Sequence, residues 1–112
     1  MGRDVLRESL SMEMRRGTIV LCVLSLPDQP AYGYSLASEL EKRGVVVDTN
    51  TLYPLLRRLS SQGLLQSEWD TSQAKPRKYY FITDKGLSIR RSMTDEWKKM
   101  TDAIEDLLPA DA

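Results

Sequence analysis

Thr51-Leu52-Tyr53-Pro54-Leu55-Leu56-Arg57-Arg58-Leu59 is the stretch on which the fold turns. Leu52, Leu55, Leu56 and Leu59 fall at i, i+3, i+4 and i+7, a spacing that gathers side chains into one apolar stripe along an α-helix. At about 100° per residue the opposite face presents Asn50, Pro54, Arg57 and Ser61, with Tyr53 and Arg58 on its flanks. Asp48 offers an N-cap and Gly63 a stop, so the helix is expected over Thr49 to Gln62. Pro54 stands in its second turn, where it removes a backbone hydrogen bond. The result is a helix with one face for a core and one polar face left over.

Upstream of this helix, Tyr34 to Arg43 reads as a short amphipathic helix, with Leu36, Ala37 and Leu40 inward and Glu39, Glu41, Lys42 and Arg43 outward. Gly44 is its natural stop. Val45-Val46-Val47 is a connector or a single short strand. Further back, apolar residues fall on nearly every side between Met14 and Leu26, and Pro27 and Pro30 forbid continuation. This predicts a central helix buried on most faces, followed by a turn from Pro27 to Ala31. Val5, Leu6 and Leu10 could extend that helix toward the N-terminus, or Ser11 could cap one that begins at Met12.

Downstream, Leu64 to Trp69 and Lys78 to Thr83 have strand propensity and flank the polar segment Asp70 to Arg77, the pattern of a hairpin with a long basic tip. Tyr79, Tyr80 and Phe81 must then alternate between faces, which suits a wing strand better than a row of stacking platforms. Thr83 caps a last long helix in which Met93, Trp97, Met100, Ile104 and Leu107 repeat every three or four residues. Such a stripe needs a partner surface, and no repeat or second domain in the sequence supplies one.

Composition narrows the function. A chain of 112 residues with ordinary apolar and charged content fits one domain. It has one cysteine and no histidine, which removes most metal sites, the Cys/His nucleophile pairs and the commonest general base. Cys22, inside an apolar run, reads as a small buried hydrophobe. No catalytic spacing appears among the remaining residues, so an enzyme is not expected, nor a cofactor. The run from Ile19 to Leu26 falls short of the roughly 20 residues that cross a bilayer, and no secretion signal opens the chain; a cytoplasmic protein is expected. Sixteen Lys and Arg balance sixteen Asp and Glu, but not evenly along the chain. Between Thr71 and Arg91 lie Lys75, Arg77, Lys78, Lys85, Arg90 and Arg91 against Asp84 alone. Beyond Asp95 the acidic residues prevail, through Asp102, Glu105, Asp106 and Asp111.

Helix, helix, turn, helix and hairpin is the order of a winged helix-turn-helix: mainly α with a small antiparallel β-hairpin, and here a long C-terminal helix. The major groove of B-DNA, about 12 Å wide, admits one helix whose polar side chains reach base edges. Thr49 to Ser61 would be that helix, with Lys75, Arg77 and Lys78 of the wing on phosphates or in the neighbouring minor groove.

The sequence resembles the PadR family of bacterial transcription regulators. Met14-Arg15-Arg16-Gly17-Thr18, Tyr32-Gly33-Tyr34-Ser35-Leu36 and the TLYPLLRRL string carry the resemblance. Gly63-Leu64-Leu65, Trp69, Arg77-Lys78-Tyr79-Tyr80 and Thr83-Asp84-Lys85-Gly86 continue it in order, over roughly residues 12–105. One helix after the wing places it with the compact subgroup; the family's usual histidine ahead of Gly-Tyr is Tyr32 here. The resemblance implies a homodimeric repressor on an inverted-repeat operator. Residues 1–83 would bind DNA, with the wing at about 64–83, and the helix in 84–112 would dimerise without forming a separate domain. The expected DNA-binding residues are Tyr34, Asn50, Thr51, Tyr53, Pro54, Arg57, Arg58, Lys75, Arg77 and Lys78. The expected dimer interface is Met93, Trp97, Met100, Ile104 and Leu107. In some compact members aromatic residues of the last helix line a pocket between subunits for planar drug-like effectors, a role that would fall to Trp97 with Met93 and Met100. The competing reading is a winged-helix adaptor that binds protein and has lost DNA binding. Zero net charge supports it, but the cluster Lys75, Arg77 and Lys78 argues against it.

Overall fold

The computed structural model describes residues 2–26 and 29–110, with side chains from Val5 onward. Its elements are α1 (Gly2–Ser25), β1 (Ala31–Tyr32), α2 (Gly33–Lys42), α3 (Thr49–Ser61), β2 (Leu65–Asp70), β3 (Arg77–Ile82) and α4 (Asp84–Leu107). Leu52, Leu55, Leu56 and Leu59 of α3 are all buried, and they meet Leu36 and Leu40 of α2, Val23 and Leu24 of α1, and Leu64, Leu65 and Tyr80 of the wing. A fully buried leucine contributes about 1.5–3 kcal/mol, so this stripe alone fixes which side of α3 faces inward. Cys22 is partly buried at the core's edge.

The helix ends follow the predicted chemistry. The Asp48 side chain accepts from the Asn50 N–H at 2.9 Å, and Thr83 Oγ1 accepts from the Gly86 N–H at 3.0 Å. Gly44 and Gly63 adopt φ of 89° and 79°, the left-handed conformation that reverses the chain after α2 and α3. The same Thr83 hydroxyl donates to the Gly63 carbonyl at 2.6 Å, and Lys85 Nζ donates to the Gln62 carbonyl at 2.9 Å. The end of α3, the start of β2 and the start of α4 are thus one joint. Arg90 Nη1 donates to the Leu24 carbonyl at 3.3 Å and ties α4 to the end of α1.

Two features differ from the sequence reading, the number of strands and the burial of the first helix, and two alternatives it left open are decided, the connector over a strand at Val45 to Val47 and the longer form of the first helix. The sheet has three strands in the order β1-β3-β2, not two: Ala31 and Tyr32 pair with Tyr80 and Tyr79, antiparallel, beside the hairpin in which Leu65 opposes Ile82 and Asp70 opposes Arg77. The connector from Val45 to Val47 is not a strand. The first helix runs from Gly2 without interruption, and it is not buried on most faces: Met14 is 75% exposed, and only Val23 and Leu24 on it are fully enclosed. Its first turns, with Val5, Leu6 and Leu10 exposed, project past the core that its last turns help to build. The predicted stop at Pro27 lies outside the described residues, as does Asp111.

Candidate nucleic-acid interface

On the face of α3 opposite its leucines, Asn50, Thr51, Tyr53, Pro54, Arg57 and Arg58 are all exposed. The wing stands beside them. Tyr34, Tyr53, Arg57, Arg77 and Lys78 line one open cleft of about 440 Å³ between α2, α3 and the β2-β3 hairpin, with Tyr32, Trp69 and Tyr80. Asn50, Thr51, Pro54 and Arg58 border the adjoining groove between α3 and α1. The predicted set therefore falls on one continuous surface, apart from Lys75, which stands at the exposed loop tip beyond the strands.

The cleft's side chains are held by one another. Tyr32 and Tyr34 stack with ring centroids 5.8 Å apart and planes 3° from parallel. The Arg77 guanidinium lies 5.5 Å from the Tyr32 ring centre and 5.8 Å from that of Tyr34, and its Nη1 donates to the Tyr34 hydroxyl at 3.0 Å. Lys78 Nζ sits 5.8 Å from the rings of Trp69 and Tyr80. Cation–π contacts of this kind orient a charge without neutralising it. Among the described residues Arg16, Arg57, Arg58, Lys75, Arg77 and Lys78 form no ion pair. The face keeps its positive charge although the whole chain sums to zero.

Asp70 is the acidic exception. Its Oδ1 accepts from the Ser72 N–H at 3.0 Å and the Ser72 hydroxyl at 2.6 Å, and its Oδ2 accepts from the Tyr32 hydroxyl at 2.6 Å. The Ser72 hydroxyl first, then Tyr32, hold its carboxyl down from the usual range to about 2. Tyr32 is raised in turn, chiefly by its bond to that carboxylate. Tyr79 is raised by its hydrogen bond to Glu68, and Tyr80 mainly by burial.

Arg16, Tyr32, Trp69 and Asp70, at or beside this surface, are absent from the predicted set. Arg16 of α1 borders the α3 groove with Asn50 and Arg58; the Arg15-Arg16 pair was its available signal. Tyr32 and Trp69 are marked only by the family resemblance and Asp70 by nothing, because their contacts here depend on partners distant in sequence, as with the 38 residues that separate Tyr32 from Asp70. Of the predicted interface on α4, Trp97, Met100, Ile104 and Leu107 are exposed, whereas Met93 packs partly against the core.

Three packed helices, the third with a free polar face, and a basic hairpin at their side define a winged helix-turn-helix. Residues 20–92 match the transcriptional regulator PadR-like family. The chain is 48% identical to a PadR family transcriptional regulator from Eggerthella lenta over 98% of both chains, with a TM-score of 0.91. It is 32% identical to a PadR-like regulator from Bacillus cereus, over 88% of this chain and 98% of that one, with a TM-score of 0.77. Identity to the transcriptional regulator Rv3488 of Mycobacterium tuberculosis is 31%, over 86% of this chain and 88% of that protein. The chain belongs to the PadR-like family, whose members are DNA-binding regulators of transcription and not enzymes. Among the described residues no helix is long and apolar enough to cross a membrane.

Proposed function

We propose that the protein is a homodimeric repressor that reads an inverted-repeat operator, one α3 and one wing to each half-site. The observation that carries this reading is the exposed face of α3, Asn50 to Arg58, set beside unpaired Arg77 and Lys78. Asn50, Thr51, Pro54, Arg57 and Arg58 are placed for base edges and the groove wall. Tyr34, Tyr53, Lys75, Arg77 and Lys78 are placed for phosphates.

Dimerisation through α4 is supported by what that helix lacks. At about 1.5 Å per residue its 24 residues extend some 36 Å, and among the described residues the apolar stripe from Trp97 to Leu107 stays exposed, from 44% at Trp97 to 84% at Leu107. No basic residue occupies its last turn, which holds Glu105 and Asp106, so the helix dipole is opposed there. The C-terminal half of the helix, exposed along its stripe and without a basic residue at its end, is marginal alone and gains most from a second copy. In this arrangement residues 1–83 bind DNA and 84–112 join the subunits. Trp97, flanked by Met93 and Met100, lies in the seam between subunits, where a planar effector entering beside the indole relieves repression.

Selection of duplexes from a random library, followed by titration of the winner at several salt concentrations, tests the reading. An enriched inverted repeat with half-sites about 34–36 Å apart, or a multiple of that, and a steep negative salt slope is expected. Absence of enrichment, with weak binding lost at modest salt, would turn the assignment to a protein-binding winged helix.

A further inference from the structure

Asp70 and Arg77 are the cross-strand pair that closes the wing loop. Opposite charges facing each other across two strands ordinarily form an ion pair, yet Asp70 and Arg77 form none. Both carboxylate oxygens of Asp70 are already engaged, one by Ser72 and the other by the Tyr32 hydroxyl at 2.6 Å. Arg77 instead lies over the stacked rings of Tyr32 and Tyr34 and donates to the Tyr34 hydroxyl at the mouth of the cleft beside α3, close enough to Asp70 to feel its field but in no ion pair with it.

We infer that Tyr32 is a positioning residue for DNA binding: its hydroxyl holds Asp70 away from Arg77, which leaves the Arg77 guanidinium free to meet a backbone phosphate. The inference rests on the DNA-binding reading above and adds a residue outside α3 and the wing to the machinery. Tyr32 acts in two ways. Its ring gives the guanidinium a flat surface on which the positive charge is stabilised but not cancelled. Its hydroxyl anchors Oδ2 and, with Ser72 on Oδ1, orients the carboxylate away from the guanidinium. Tyr32 also belongs to β1, whose pairing with Tyr79 and Tyr80 fixes the ring relative to the wing. The strand missed in the sequence is therefore the element that places this residue.

Tyr32→Phe keeps the ring and removes only the hydroxyl. Freed on one side, Asp70 should swing to Arg77 and neutralise it. Binding to the library-selected duplex is then expected to weaken about three- to tenfold per half-site at 0.1 M salt, on the order of one lost phosphate contact per subunit, so that the salt slope of the dimer is shallower by about two. Asp70→Asn removes the competing charge, so Tyr32→Phe made in that background should lose less than about twofold and keep the Asp70→Asn slope. A purely structural contribution of Tyr32 would not be rescued by a second substitution at Asp70. Arg77 provides a readout free of DNA: its guanidinium nitrogen signals should shift and slow in exchange in Tyr32→Phe as the ion pair forms, and return in the double variant. Tyr32→Phe with unchanged affinity and slope, or with the same loss in the Asp70→Asn background, overturns the inference. If the unsubstituted protein selects no duplex, the DNA-binding reading falls. In that event unchanged Arg77 signals in Tyr32→Phe would also remove the ion-pair competition, while shifted signals would uphold it.

Discussion

Arg57 is the residue whose role is most open to direct measurement. It projects from the third turn of α3, two turns past Asn50 and one past Tyr53, and borders the cleft with Arg77 and Lys78. A guanidinium there can bridge two acceptors of a guanine edge, so Arg57→Ala should weaken operator binding by about 1–3 kcal/mol per half-site and leave random duplexes almost unaffected. Parallel titrations of both duplexes check this; equal losses on the two would make Arg57 a phosphate contact. A residue of the opposite kind, with no part in binding, is Gly86. A Cβ at this position would run into the Leu64 carbonyl oxygen and crowd Ile82, at the joint where β2, β3 and α4 meet. Backbone is the obstacle, so it cannot turn aside. Gly86→Ala should cost on the order of 1–3 kcal/mol and lower the midpoint of thermal unfolding, and a midpoint equal to that of the unsubstituted protein would show that the joint yields.

Elements were legible in the sequence wherever their signals are local. Asp48, Gly44, Gly63 and Thr83 mark helix boundaries by the chemistry of a single residue and its near neighbours, and the predicted boundaries of α2 and α3 lie within a residue of those observed. β1 was not legible, because two residues become a strand only by pairing with Tyr79 and Tyr80, far along the chain. The exposure of Met14 was hidden for a related reason: an apolar residue records a need for cover, not whether the cover comes from its own chain. The site divides in the same way, with the α3 residues readable from helical period and the Tyr32-Asp70-Arg77 arrangement readable only in three dimensions. Pro54 is the local signal that contradicts its own element. Within α3 it leaves the Asn50 carbonyl without its i+4 donor, a defect that costs about 3 kcal/mol in a helix interior, offset by about 0.4–1 kcal/mol of reduced freedom in the unfolded chain. Pro54→Ala should therefore stabilise the fold by about 2 kcal/mol. Chemical denaturation measures it, and a variant no more stable than the parent would mean that the carbonyl is already satisfied or the helix already bent to suit the ring.

At the scale of the molecule, the basic face and the uncovered α4 make different demands. Binding to one half-site needs only α3 and the wing, whereas preference for a repeat needs two such units at fixed separation. Trp97 separates the two requirements. It is 44% exposed, with Met100 and Ile104 continuing the same stripe toward Leu107. In the proposed dimer Trp97→Glu would set a carboxylate between two apolar stripes, and an unpaired charge in such a seam is not tolerated. The folded body should survive, since no residue beyond Met93 on α4 belongs to the apolar core of the described chain. Light scattering on the eluting protein should give the dimer mass for the unsubstituted chain and the monomer mass for Trp97→Glu. Lys99→Glu, a charge reversal at another exposed position of α4, controls for charge alone and should remain dimeric. On DNA, Trp97→Glu should hold an isolated half-site as well as its parent does, yet lose the gain that comes from tethering two sites, commonly about 10²–10⁴-fold where the linkage spans them. A Trp97→Glu protein that still elutes as a dimer and keeps its preference for the repeat would move the interface off this stripe, and the exposed apolar residues of α1, Val5, Leu6 and Leu10, would be the next surface to substitute.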